Sequence, residues 1–209
     1  TCALPIFNQN GAPVRGYFEV YEISSGGTIS QVGSDTTYDQ SDANSNDACN
    51  IKINEDGTRI LVSDASAGTA GQLYHYTLQN GSWVLVQTID GPPNPENISG
   101  GLYPGRWDAD DTLTRIVFAD ARGLHPNNTT SSNHFIYVHK YNSSSGQYEL
   151  SDYRTAFTSS TATENTMVTI SGDGDTIIVT TKVDQDGDGS LDDTATKQLY
   201  RRGGTGCTT

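Results

Sequence analysis

"DQDGDGSLDD", residues 184–193, is the stretch whose residue types and spacing come nearest to chemistry. Asp184, Asp186 and Asp188 alternate, Gly189 follows, and Asp192 and Asp193 close the run. Calcium is a hard cation that takes about six to eight oxygen ligands. Alternate carboxylates in a tight loop converge on one point, glycine permits the bend, and the Ser190 carbonyl supplies a further oxygen. Without a cation, so many carboxylates in one short loop would repel one another. Asp184, Asp186, Asp188, Ser190, Asp192 and Asp193 are therefore the expected ligands. Calcium is the expected cofactor, in a structural rather than a catalytic role. Ala195 stands at the twelfth position of the loop, where a helix-flanked calcium loop would carry a bidentate glutamate.

Two further residue sets invite covalent chemistry. Asn-x-Ser/Thr triplets place candidate glycans on Asn80, Asn97, Asn127, Asn128 and Asn142, of which Asn80 and Asn142 fall in the short turns "QNGS" and "YNSSSG". "TSSTATENT" reads as a linker and as an O-glycan acceptor stretch. The cysteines, Cys2, Cys49 and Cys207, fit no zinc spacing and no C-x-x-C motif. The chain opens Thr1-Cys2 with no initiator Met, which reads as a removed leader or a fragment. With the sequons, that points to an extracellular or cell-surface protein.

No catalytic constellation is legible. G-x-S-x-G, H-E-x-x-H and a phosphate loop are all missing from the sequence, and no carboxylate spacing identifies a glycosidase pair. His75 and His139 lie inside strand-like runs and read as packing or surface residues. His134 and His139 are five apart and face opposite ways on a strand, so a metal pair is not expected there. Trp83, Trp107 and Tyr148 read as packing residues before they read as a sugar platform. A net charge of −13 argues against nucleic acid and anionic membranes, and no apolar run is long enough to cross a bilayer as a helix.

The elements that would position these residues repeat. "INEDGTRILVSD", "WDADDTLTRIVFAD" and "ISGDGDTIIVTT" each read as a short strand, a polar turn and an apolar strand. After them come "QLYHYTL" with "WVLVQTI", "FIYVHKY" with "QYELSDY", and "QLYRR". The alternation in "LYHYTL" and "IYVHKY" has the period of a strand. "LPIFNQ", "YFEVYEI" and "TISQV" make an earlier copy without its opening strand. Leu4, Ile60, Ile116 and Ile177 correspond, at spacings of 56, 56 and 61 residues. The expected fold is all-β: one propeller-like domain over 1–209, with antiparallel four-stranded units at about 3–36, 49–90, 107–154 and 165–203. Strands are called a to d within each unit. The first unit lacks a, and the last lacks d. A β-sandwich is the alternative.

"DGTRILVSD … GQLYHYTLQNGSWVLVQTI" resembles the FG-GAP-like extracellular β-propeller repeats of bacterial and algal surface proteins, related in plan to integrin α-chain propellers. The resemblance covers residues 3 to 203, without a literal FG-GAP motif and with fewer units than such propellers carry. It implies an extracellular propeller whose calcium sits in a blade loop. The expected function is that of a non-enzymatic structural protein that self-assembles head to tail through its incomplete end units, as a homo-oligomer or filament. The alternative is a calcium-dependent adhesion or glycan-binding module, with glycans as partners. Strand directions place Cys2 and Cys207 at one end of the units and Cys49 at the other, so a Cys2–Cys207 disulfide is expected.

Overall fold

The computed structural model describes residues 2–6, 15–39, 50–64, 71–91, 106–119, 124–125, 129–130, 133–158, 167–182 and 195–201. Every regular element among them is a β-strand. Blade 1 is built from β1 (Cys2–Ile6), β2 (Arg15–Ile23), β3 (Ile29–Gln31) and β4 (Thr36–Asp39). Blade 2 is β5 (Ile51–Ile53), β6 (Arg59–Asp64), β7 (Gln72–Gln79) and β8 (Ser82–Asp90), hydrogen-bonded in that order. Blade 3 is β9 (Trp107–Ala109), β10 (Arg115–Ala119), β13 (Asn133–Asn142) and β14 (Gln147–Thr158). A small pair, β11 (Leu124–His125) and β12 (Thr129–Thr130), lies between β10 and β13 in the chain. Blade 4 is β15 (Met167–Ile170), β16 (Thr176–Lys182) and β17 (Ala195–Arg201). The fold is an all-β, propeller-like array of antiparallel blades. Among the described residues, blade 1 lacks strand a and blade 4 lacks strand d.

The central b strand of each blade explains why the pattern recurs. In β6, Ile60, Leu61, Val62 and Ser63 are all fully buried, so both faces of the strand are covered. A strand covered on both faces reads as a continuous apolar run instead of an alternating one. In the outer strand β8, by contrast, only Trp83 and Ile89 are buried, while Val84 and Leu85 are exposed.

The chain divides into two compact units, Thr1–Gly91 with Gly101–Tyr103, and Pro92–Gly100 with Pro104–Thr209. In the first, Phe18 and Val20 of blade 1 pack on Ile60, Val62 and Tyr76 of blade 2. Phe18 meets the Tyr76 ring edge-on at 5.1 Å and the Trp83 ring at 6.1 Å. In the second, Val117, Ala119 and Ile136 of blade 3 pack on Val168, Ile170 and Val179 of blade 4.

Two features depart from the sequence reading. The outer strand of blade 1 is broken: β3 and β4 both pair β2, and residues 33–35 step out of the ladder between them. Blades 2 and 3 also share a β-bulge at the same repeat position. His75 faces Gln87 and Tyr76 faces Leu85, which leaves Val86 over. Val138 faces Asp152 and His139 faces Leu150, which leaves Ser151 over. A bulge bends a strand and increases its twist, and its recurrence gives the two outer strands the same set.

Candidate functional site

Antiparallel pairing in the order a-b-c-d puts the a–b and c–d turns at one end of each sheet. The b–c connections emerge at the other end. The two ends differ in kind.

At the turn end, the a–b connection is the same device three times. Gly57, Leu113 and Gly174 donate their amides to the carbonyls of Asn54, Asp110 and Ser171 at 3.0, 3.0 and 2.8 Å. The side chain that opens each turn then accepts from the turn's far side. Asn54 Oδ1 takes the Thr58 and Arg59 amides at 3.0 and 2.7 Å, Asp110 Oδ1 takes the Thr114 amide at 2.6 Å, and Ser171 Oγ takes the Thr176 amide at 2.9 Å. These residues are the Asx and Ser types that mimic a backbone turn. Gly57 and Gly174 have φ of 71° and 73°, and Leu113 holds the same left-handed place at 49°. The Leu113 side chain is fully buried, and the Tyr148 hydroxyl donates to its carbonyl at 2.7 Å. Packing and that hydrogen bond hold a conformation that costs a non-glycine residue about 1–2 kcal/mol.

The turns of blades 3 and 4 also lock together. The Asp111 amide donates to the Gly172 carbonyl at 3.0 Å, and Arg115 Nη1 to the Gly174 carbonyl at 3.3 Å. A β-carbon on Gly172 would lie 2.2 Å from Asp111 Oδ2, and one on Gly174 would lie 2.4 Å from Arg115 Nη1. One strand inward, Asp108 Oδ2 accepts from the Ile170 amide at 3.0 Å and the Thr169 hydroxyl at 2.7 Å. This set joins two blades by polar groups, and the Asp108 carboxylate is spent on the protein's own donors. Among the described residues, no group of three or more His, Cys, Asp or Glu side chains is arranged to hold a metal ion. A hydrogen bond from the Thr58 hydroxyl holds the Asp56 carboxyl below its ordinary pKa, and one from the Ser171 hydroxyl does the same for Asp173.

His75 and His139 are packing residues. His75 is fully buried, and desolvation, with Arg59 nearby, lowers its pKa to about 4. Desolvation alone lowers His139 to about 4, and its ring meets Phe118 edge-on at 5.1 Å. Both stay neutral at ordinary pH. Trp83, Trp107 and Tyr148 are 6%, 1% and 4% exposed, so none offers a ring face to a sugar. Trp83 and Tyr148 do occupy matching places, opposite Leu78 and Tyr141.

Of the expected site residues, Asp184, Asp186, Asp188, Ser190, Asp192 and Asp193 lie outside the described residues, within the connection 183–194 from β16 to β17. Asn97, Asn127, Asn128, Cys49 and Cys207 lie outside them too, while Cys2 begins β1. Asn80 and Asn142 do sit in c–d turns, and they differ. Asn80 is exposed, at φ 51° beside Gly81 at 80°, the left-handed pair of a tight hairpin turn. Asn142 is half-buried; its Nδ2 donates to Glu149 at 3.0 Å, and its Oδ1 accepts from the Ser144 amide at 2.9 Å. A glycan on Asn142 would crowd the half-buried amide that donates to Glu149, whereas one on Asn80 meets solvent.

No family model matches the chain, and no curated protein does. Solved structures do share likeness. Sqt1 of Saccharomyces cerevisiae is 13% identical at a TM-score of 0.47, over 91% of this chain and 42% of that one. A Bacteroides fragilis protein described as a candidate 6-phosphogluconolactonase is 11% identical at 0.43, over 91% and 58%. A Bacteroides uniformis protein described in the same way is 13% identical at 0.33, over 93% and 70%. The chain thus spans well under two thirds of the first two.

These neighbours correct the sequence reading of function. That reading took the chain to be non-enzymatic, a self-assembling structural protein or else an adhesion module. Two of the three structures are described as candidate lactonases and none as an extracellular structural protein. A missing catalytic motif therefore does not make this chain a non-enzyme. The physical reason is that a repeat fold fixes a scaffold, and function is grafted on its loops without a readable spacing.

Proposed function

We propose that this chain is a calcium-binding propeller-type scaffold, extracellular and of FG-GAP-like kind, that presents its b–c connections to a ligand. The observation that carries the reading is the contrast between the two ends of the blades. The turn end is uniform and internally bonded in blades 2, 3 and 4. The b–c connections of these three blades differ in length and composition, running over 65–71, 120–132 and 183–194. Variation at one end of a rigid scaffold is the arrangement in which loops carry recognition or chemistry. The alternate-aspartate run lies in the third of these connections. Calcium there would order a loop that its own charges would otherwise spread apart. The sequons and the acidic balance support an extracellular setting, where millimolar calcium suits such a site.

Calorimetric titration of chelator-treated protein with calcium tests the reading. One site is expected, with a rise in melting temperature that grows with calcium concentration. Asp186→Ala with Asp188→Ala should abolish both. Heat and melting curves indifferent to calcium in the unaltered chain would refute it. Intact-mass analysis of protein from its native source should find glycan on Asn80 before Asn142.

A further inference from the structure

Two groups able to react with each other stand side by side at the tip of the β7–β8 hairpin. Asn80 carries a carboxamide, and Gly81 follows it with a backbone amide that no β-carbon shields. Both residues are exposed, and a β-carbon built on Gly81 would meet nothing within 4 Å. Among the described residues, neither the Asn80 side chain nor the Gly81 amide has a hydrogen-bond partner.

The other junctions of this kind are closed. Asp56–Gly57, Asp90–Gly91 and Asp173–Gly174 are the remaining described places where Asp or Asn precedes glycine. In each the glycine is buried and its amide donates, to the Asn54, Gly71 and Ser171 carbonyls at 3.0, 2.9 and 2.8 Å. The carboxylates also accept: Asp56 from the Thr58 amide at 3.0 Å, Asp90 from Gln72 Nε2 at 2.9 Å, Asp173 from the Asp175 amide at 3.0 Å. Asp56 and Asp173 are held ionised by their hydroxyl partners, which makes them poor targets for a nucleophile. Asn142 has its carboxamide held on both sides, by Glu149 and by the Ser144 amide.

We infer that Asn80 is a self-modification site, where the Gly81 nitrogen cyclises onto the carboxamide and converts Asn80 to aspartate and isoaspartate. Hydroxide removes the Gly81 amide proton, and the nitrogen forms a bond to Asn80 Cγ. The Cγ–Nδ2 bond breaks, and Nδ2 leaves as ammonia with a proton taken from water. A cyclic imide remains. Water then opens the ring at one of its two carbonyls: at Cγ it gives aspartate, at the main-chain carbon it gives isoaspartate. One water is consumed, one ammonia is released, and nothing is oxidised or reduced. The departing Nδ2 is also the atom a glycan would occupy, so the two modifications exclude each other on one chain. The consequence falls on the first unit. Isoaspartate adds a carbon to the main chain of a two-residue turn between Gln79 and Ser82, and Trp83 comes directly after it. The start of β8 then loses its register on β7, and with it the aim of the Trp83 indole at the Val32 carbonyl.

The test uses the 209-residue chain made in a host that adds no N-glycans, held folded in mildly alkaline buffer. Peptide mapping with isoaspartate detection follows each junction over time. Loss of the Asn80 amide should rise in proportion to hydroxide. It should run about tenfold or more ahead of Asn142, whose two hydrogen bonds must break first. Asp56, Asp90 and Asp173 should stay unisomerised over the same interval. Gly81→Ala should slow the loss, and Asn80→Gln, whose longer side chain must close a larger ring, should nearly abolish it. In the converted chain, amides at the start of β8 should exchange faster than in the unconverted one. An Asn80 amide that persists in the folded chain overturns the inference; loss from the same chain only in urea would show that the turn protects the pair. A change at Asn142 or at any Asp-Gly junction that keeps pace with Asn80 overturns it too. So does an undiminished rate in Gly81→Ala, and equal exchange in β8 overturns the effect on the hairpin.

Discussion

The two seams between paired blades are made differently. Blades 1 and 2 meet through aromatic rings, and Trp83 reaches across to donate its Nε1 hydrogen to the Val32 carbonyl at 3.1 Å. The partner strand makes room: the outer strand of blade 1 breaks there, and a β-carbon on Gly33 would lie 2.8 Å from Trp83 Nε1. Blades 3 and 4 meet through aliphatic side chains and add Asp108, Asp111 and Arg115 as polar pins on strands and turns. One repeat thus closes the same kind of seam in two ways. A large ring needs a hole in its neighbour; small side chains leave the rim to hydrogen bonds. The first seam is specified by shape and the second by donor and acceptor placement, so different changes should break them.

The largest effect should come from the first seam. Trp83→Ala empties the space over Gly33 and should cost about 3–5 kcal/mol, read as a lower urea midpoint. Gly33→Ala should cost about 2–3 kcal/mol, from overpacking and a φ of 77° that an L side chain resists. A near-neutral Gly33→Ala would show that the break in blade 1 is not made for the ring. Next comes the second seam. Asp108→Ala strands the buried Ile170 amide and should cost about 1–3 kcal/mol, while Asp108→Asn, which keeps an acceptor oxygen, should cost less. Equal losses in the two variants would mean that the carboxylate's shape, not its acceptors, matters.

Acid should act on a histidine in each unit. Unfolded, each takes up its proton near 6.5; folded, only near 4. Between those values the unfolded chain binds more protons, so stability is full above 6.5 and falls as pH drops toward 4. The melting temperature should fall by roughly 10 °C or more across that window, and a variant with His75→Gln should lose clearly less. A flat profile would place both rings in contact with water. The smallest change concerns the turns. Leu113→Gly relieves a left-handed residue but removes a fully buried side chain, so a net loss of about 1 kcal/mol is expected. A gain would show that Leu113 is kept for something other than packing.

The strands and their order were readable because the period-two alternation and the recurring turn are local signals. "QNGS" and the a–b turns appear where Asn, Asp and Gly require them. What was not readable is what joins distant residues. Trp83 and Val32 are 51 apart and Asp108 and Ile170 62 apart, and no local pattern announces either pair. The bulges at Val86 and Ser151 were hidden for another reason: one extra residue in an outer strand leaves its composition unchanged. The same limit explains the function reading. Spacing can suggest a ligand set only where it is confined to one loop, as the proposed one at 184–193 is, and is blind to groups gathered from several loops.

The bond from Tyr148 to the Leu113 carbonyl has a mechanical consequence. In a four-stranded sheet pulled from its edge, the outermost strand unzips first, one ladder bond at a time. In blade 3 that strand is β14, and Tyr148 near its start is riveted to the loop between the two innermost strands. A load applied at the far end of β14 can peel the ladder only as far as the rivet. Beyond it, force passes directly to β9 and β10, so blade 3 should yield as one piece where blade 2, with Trp83 anchored in its neighbour, would pull on blade 1.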